Sequence, residues 1–128
     1  MQENKITIII DKPIEKVFEF TTNPKNTQLW IPSIVEEVAE EYPPKIGTQY
    51  KNRGDDSNWD FYKVIEFQNN KMFTLSDLKD DYHVKYTYRK INDNQTEMEY
   101  FEWVKNGELS NPFTEDIIKK LKDIMESN

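Results

Sequence analysis

The order of elements in the first fifty residues constrains this chain more than any other feature. Lys5 to Asp11 (KITIIID) reads as a strand, and Pro13 opens a short helix over IEKVFEF. Asn23-Pro24 then starts a second short helix that runs into Leu29, Trp30, Ile31 and Pro32, and a strand-like SIVEEV follows at once. A strand followed by two small helices before the next strand departs from the simple hairpin order, in which consecutive strands pair directly.

The rest of the chain is punctuated by turn residues. Pro43-Pro44 with Gly47, Asp55-Asp56-Ser57-Asn58, Asn69-Asn70, Asp80-Asp81 and Asn92-Asp93-Asn94 fall at short intervals, and Asn and Asp tolerate left-handed backbone. Between them lie runs of strand length: Thr48 to Arg53, Trp59 to Phe67, Met72 to Asp77, Tyr82 to Lys90 and Thr96 to Val104. Strands joined by tight turns make an antiparallel meander. The period then changes. Phe113, Ile117, Leu121, Ile124 and Met125 recur at spacings of three and four, predicting a helix from about Phe113 to Met125 whose apolar stripe faces the sheet. Asn111-Pro112, or Thr114 followed by Glu115 and Asp116, supplies its start.

Strand, two small helices, six more strands and a terminal helix is the order of the helix-grip proteins. In that order the chain resembles the SRPBCC superfamily, which takes in START-related lipid-transfer domains, pollen-allergen-like proteins, aromatic polyketide cyclases and chaperone activators. The resemblance implies an α+β helix-grip fold: a seven-stranded antiparallel sheet wrapped around a C-terminal helix, with two short helices between strands 1 and 2. It also implies an internal cavity. The stretch WIPSIVEEV resembles the corresponding region of the chaperone activators.

Composition narrows the functions available. A length of 128 residues predicts one domain, residues 1–128. With 24 acidic against 17 basic residues the net charge is −7, which disfavours nucleic-acid phosphates and anionic membranes. There is no cysteine, hence no disulfide framework, thiol nucleophile or thiolate metal site. No apolar run approaches the roughly 20 residues needed to cross a bilayer, and MQENK does not open a secretory signal, so the expected location is cytoplasmic. No cofactor is implied, and a homodimer is left open.

Alternation assigns the faces of the strands. Along Tyr82 to Arg89 one face is Tyr82, Val84, Tyr86 and Tyr88 and the other His83, Lys85, Thr87 and Arg89, so the first set is predicted inward. In the last strand, Glu97 and Glu99 outward put Met98, Tyr100 and Glu102 inward and Trp103 outward. Over Trp59 to Phe67 both faces are partly apolar: either Trp59, Phe61, Ile65 and Phe67 or Tyr62, Val64 and Glu66 look in.

Tyr50, Tyr62, Tyr82, Tyr86, Tyr88 and Tyr100 all fall on strands. A buried phenol seeks a hydrogen-bond partner, and a wall of phenols around a void suits a ligand with a flat or greasy body and a few polar groups. The same residues could instead simply fill a core. With Trp30, Trp59, Met98, Phe113, Ile117 and Leu121 they make up the predicted cavity lining. Its mouth is expected between the terminal helix, the second small helix and the turn at Asp55 to Trp59, gated by Trp30, Ile31 and Pro32.

Glu66 and Glu102 are the carboxylates that strand parity can bring inside, where desolvation would raise a pKa toward that of a general acid or base. Both could equally pair with Lys63, Lys90, Lys105 or Arg89. His83, the one histidine, shares its face with Lys85 and Arg89 and reads as solvent-exposed. Asp55, Ser57 and Glu66 match three positions of a calcium-loop count, but the sixth is Asp60 where the loop needs glycine, so no metal site is expected. Glycine at 47, 54 and 107 alone excludes a phosphate-cradling loop.

Three functions fit. The first is binding of a small hydrophobic or aromatic molecule, lipid or polyketide-like, in the cavity. The second is a polyketide cyclase or dehydratase-like enzyme in which a carboxyl or phenol moves protons. The third is a protein-interaction module of the chaperone-activator kind. A void containing a carboxyl favours the enzyme, a greasy uncharged void a carrier, and a filled core with an exposed aromatic patch a partner protein.

Overall fold

The computed structural model describes residues 2–127. Its elements are β1 (Gln2–Ile10), α1 (Ile14–Thr22), α2 (Pro24–Trp30), β2 (Glu36–Ala39), β3 (Gln49–Arg53), β4 (Asp60–Gln68), β5 (Met72–Asp77), β6 (Tyr82–Asn92), β7 (Gln95–Val104) and α3 (Glu115–Glu126). The strands form one antiparallel seven-stranded sheet in the order β1-β7-β6-β5-β4-β3-β2. From β2 to β7 every strand pairs with its neighbour in sequence, the meander that the turn spacing predicts. β1 pairs instead with the last strand, because α1 and α2 carry the chain from one sheet edge to the other.

Local chemistry sets the helix ends. Asn23 caps α2, its side chain accepting from Lys25 N at 3.0 Å, and Pro24 opens the helix at a position that needs no N–H. Thr114 caps α3 by accepting from Ile117 N at 3.3 Å, and Glu115 and Asp116 complement the dipole of its first turn. Phe113 therefore stands before the helix. The buried stripe of α3 is Ile118, Leu121 and Met125, with Ile117 and Ile124 only half-buried at its margins. That shift by one position follows from the docking of α3 against β1 and α2.

Register lays out the concave face in rows. Ile6, Tyr100, Tyr86 and Phe73 stand abreast on β1, β7, β6 and β5, and Ile8, Met98 and Tyr88 form the next row. Tyr50 on β3 faces Tyr62 on β4, which pairs with Asp77 on β5. In β4 the pairing jumps from Val64–Leu75 to Glu66–Thr74, so Ile65 is a bulge. Tyr62, Val64 and Phe67 thus share the inner face while Glu66 turns outward, a mixture that neither of the two simple alternations contains.

One expectation is reversed. His83 is 2% exposed, although it lies on the outer face. Its ring stacks on Trp103, its cross-strand partner, at 4.8 Å, and its Nε2 lies 2.7 Å from Asp80 Oδ1. A large aromatic ring opposite it supplies the burial that strand alternation alone would deny it.

Candidate functional site

α3 contributes no side chain to the lining of a cleft of about 1000 Å³ that opens from the concave face to solvent. Its aromatic lining is Tyr50, Trp59, Phe61, Tyr62, Phe73, Tyr82, Tyr86, Tyr100 and Phe113. Four segments build the rim: Ile31 to Ile34 after α2, the β3–β4 hairpin tip, the β5–β6 turn, and Glu108 to Asn111 before α3. Gly54 lets the hairpin approach the first segment, since a Cβ there would stand 3.1 Å from the Ser33 carbonyl oxygen. The other two segments are laced together. Lys105 N and Asn106 N donate to Asp81 O and Oδ1 at 3.1 and 2.9 Å, and Lys105 Nζ reaches Asp80 Oδ2 at 2.7 Å. Hydrogen bonds from Lys105 and His83 hold the Asp80 carboxyl down to about 2.

Glu102 lies in the cleft wall at 1% exposure with both oxygens engaged. Its Oε2 accepts from Asn4 Nδ2 at 2.8 Å and Phe113 N at 2.7 Å, and its Oε1 from the hydroxyls of Tyr82 at 2.8 Å and Tyr100 at 3.3 Å. The group is a structural tie. It pins the segment before α3 to β1, β6 and β7, and Phe113 consequently stacks on Tyr100 with ring centroids 4.4 Å apart.

Glu37 on β2 is the carboxyl that sequence parity did not single out. It pairs in register with Asn52, which in turn faces Asp60, so the three run across the mouth on the inner face. Thr27 of α2 donates to its Oε1 at 2.5 Å and Asn52 Nδ2 to its Oε2 at 3.0 Å. Desolvation outweighs these two bonds and raises its pKa above the ordinary carboxyl value. Burial pushes the phenols of Tyr50, Tyr82, Tyr86, Tyr88 and Tyr100 well above their usual range. Tyr62 is pushed up to about 12, first by burial and then by Asp60, Glu37 and Asp77 nearby. At neutral pH all six phenols keep their protons.

Tyr50, Trp59, Tyr62, Tyr82, Tyr86, Tyr100, Phe113 and Glu102 come together around the cleft; Trp30, Tyr88, Met98, Ile117, Leu121 and Glu66 stand outside it. Trp30 is 1% exposed and packs edge-on against Tyr86 and Phe113, which makes it a wall behind the lining and no gate. Met98 and Leu121 are core, and Tyr88 bonds Thr21 of α1. Glu66 sits on the outer face, accepting from Thr74 Oγ1 at 2.9 Å with Lys85 Nζ at 3.3 Å. Glu37, Thr27, Asn52, Asp60 and Asp77 are the functional candidates that sequence reasoning missed. In SIVEEV both alternating sets mix apolar and acidic residues, so no sequence signal selects Glu37 over Glu36. Among the described residues, no group of three or more His, Asp or Glu side chains is arranged to hold a metal ion, and no helix is long and apolar enough to cross a membrane.

No family model and no curated protein matches the chain by sequence. Solved structures do match its shape. A START superfamily protein from Mycobacterium smegmatis superposes with a TM-score of 0.74 at 13% identity, covering 98% of this chain and 97% of that one. The di-domain ARO/CYC protein BexL gives 0.66 at 10% identity over 81% of this chain and 36% of that one. The Aha1 dimer of Colwellia psychrerythraea gives 0.62 at 14% identity over 99% and 90%. With its seven-stranded open sheet, its C-terminal helix and these neighbours, the chain has the START-like helix-grip fold.

Proposed function

We propose that this protein binds a small molecule with a flat or apolar body in the cleft between the sheet and the segments that flank α2 and α3. The observation that carries the reading is an open cleft of about 1000 Å³ on the concave face of the sheet with nine aromatic side chains in its lining. The hydroxyls of Tyr62 and Tyr86 have no protein partner among the described residues, and both residues line the void, so each can serve a ligand. Native mass spectrometry of freshly purified protein tests the proposal. A co-purifying mass released on denaturation is expected, and a chain that emerges bare and takes up no apolar probe would count against it.

Cyclase- or dehydratase-like chemistry is the second reading, and Glu37 is what favours it. A carboxyl with a raised pKa, on a cleft wall beside phenols that stay protonated, is placed to move a proton at a bound carbon chain. Carboxyl-selective NMR titration with Glu37→Gln for assignment checks this. A Glu37 titrating at the ordinary carboxyl value leaves the cleft without an acid or base of that kind and removes the reading.

A further inference from the structure

The reading of the cleft as a binding site leaves open which molecules it admits, and the charges around it bear on that. Seven carboxylates line it against one lysine, Lys79. Five of the seven accept hydrogen bonds from the fold itself: Glu102 from four donors, Asp81 from Asn106, Glu37 from Thr27 and Asn52, Asp77 from Asp81 N and Asp56 from Asn58 N. Glu37, Asp60 and Asp77 nevertheless lack a cationic partner: among the described residues none of them is in an ion pair. Glu37 on β2 and Asp60 on β4 lie in one row across Asn52 of β3, and Asp77 on β5 pairs with Tyr62, the next inward residue after Asp60. All three act on the Tyr62 phenol that sits between them.

Deeper in, Tyr86 is only 6% exposed, and its hydroxyl has no protein partner, yet no side-chain oxygen of the described residues is both fully buried and unsatisfied. The little exposure it retains is therefore onto the cleft that it lines. A polar group left over at depth beneath a rim of carboxylates that, among the described residues, have no cationic partner describes a site for an organic molecule with one charged end. It does not describe a metal site, because the acids are too dispersed to converge on an ion.

We propose that the ligand is a cation, a protonated amine or quaternary ammonium on a flat or aliphatic body, with its charge held at the mouth by Glu37, Asp60 and Asp77 and its body against Phe73, Tyr86 and Tyr100. A charge entering an aromatic cleft loses hydration and needs a partner of opposite sign or an electron-rich ring face. A cation finds both at this mouth, where Tyr62 and Tyr82 meet edge to face with ring centroids 6.4 Å apart. The Trp59 ring already carries such contacts from outside the lining, with Lys51 Nζ 4.5 Å and the Arg53 guanidinium 5.6 Å from its centroid. A carboxylate-headed ligand such as a fatty acid meets the lining carboxylates with Lys79 the one lysine among the described lining residues.

Calorimetric titration of the intact chain with decyltrimethylammonium, 1-decanol and decanoate, equal in tail and different in charge, tests this. The cation is expected to bind about tenfold or more tightly than the alcohol at low salt, with decanoate weakest and the advantage shrinking as salt is added. Asp60→Asn combined with Asp77→Asn is expected to cut the cation's advantage to about threefold or less, while 1-decanol, which also reports that the variant is folded, binds as before. Decanol or decanoate binding as tightly as the cation would overturn the charge assignment and leave the binding site standing, and so would a preference untouched in the double variant. If none of the three binds, the reading of the cleft as a ligand site falls, and the cation with it.

Discussion

Tyr86 and Tyr88 stand two residues apart on β6, both buried and both on the concave face, yet only one has a partner for its hydroxyl. Tyr88 lies 2.6 Å from Thr21 Oγ1 and packs edge-on against Phe18, both from α1. Tyr86 faces the cleft and has none among the described residues. The two phenols mark the closed and open ends of one sheet. At the closed end α1 and α3 press Val17, Ile118, Leu121 and Met125 toward Ile8, Ile10 and Met98. At the open end β3, β4 and β5 face the cleft, and the inward positions there include Tyr50, Asn52, Asp60, Tyr62 and Asp77. The two inner glutamates repeat the contrast. Both border the cleft, but Glu102 has four donors of the fold on its two oxygens while Glu37 has two. A helix-grip sheet thus separates stability from binding by what its helices reach.

The largest test of that separation is at the closed end. Leu121, fully buried on α3, should cost about 2 to 5 kcal/mol on replacement by Ala, because a filled core relaxes little around a deleted side chain. Equilibrium urea unfolding measures it; a change below about 0.5 kcal/mol would mean that α3 does not anchor this end.

The same substitution at the two glutamates should then give opposite results. Glu102→Gln leaves one oxygen for donors that now share two, and should destabilise by about 1 to 3 kcal/mol. Glu37→Gln should do the reverse as pH rises. Its raised pKa means that the folded chain keeps the proton to higher pH than the unfolded chain, so folded wild type loses stability as pH climbs from the ordinary carboxyl range through the raised value. The amide removes that loss. The Tm of Glu37→Gln relative to wild type should accordingly increase between about pH 4 and pH 7, and a difference constant with pH would mean that folding does not raise the Glu37 pKa.

A finer pair sharpens the comparison at its origin. Tyr88→Phe should cost about 1 kcal/mol, because Thr21 loses a buried hydrogen bond, whereas Tyr86→Phe should lie within about 0.5 kcal/mol of wild type. Equal costs in thermal or urea unfolding would show that Tyr86 has a partner after all, and that the open end is not distinct.

How far the sequence carries this account depends on the range of the interactions involved. The alternations of Tyr82 to Tyr88 and of Glu97 to Glu102 and the spacing of Leu121 relative to Met125 are local, and they suffice to place β6 and α3 and to orient Glu102. The bulge at Ile65 is invisible in a strand apolar on both faces, and it sends Glu66 outward, away from the site that sequence reasoning allowed it. His83 is buried by Trp103, its partner from another strand. Glu37 becomes special through Thr27, ten residues away on α2, and Asn52, fifteen away on β3. The cleft is legible as an expectation of the fold, but its acidic mouth depends on which strands α3 fails to cover, a matter of docking that no single-strand pattern records.

The central claim, that the open end is a ligand site, is tested most directly by titrating the chain with a neutral, environment-sensitive naphthalene dye while following both dye and tryptophan emission. The account predicts saturation at about one dye per chain, with quenching of tryptophan emission, because Trp59 lines the cleft and Trp30 packs directly behind its wall. Dye emission that rises without saturating, or saturation without any loss of tryptophan emission, would contradict it.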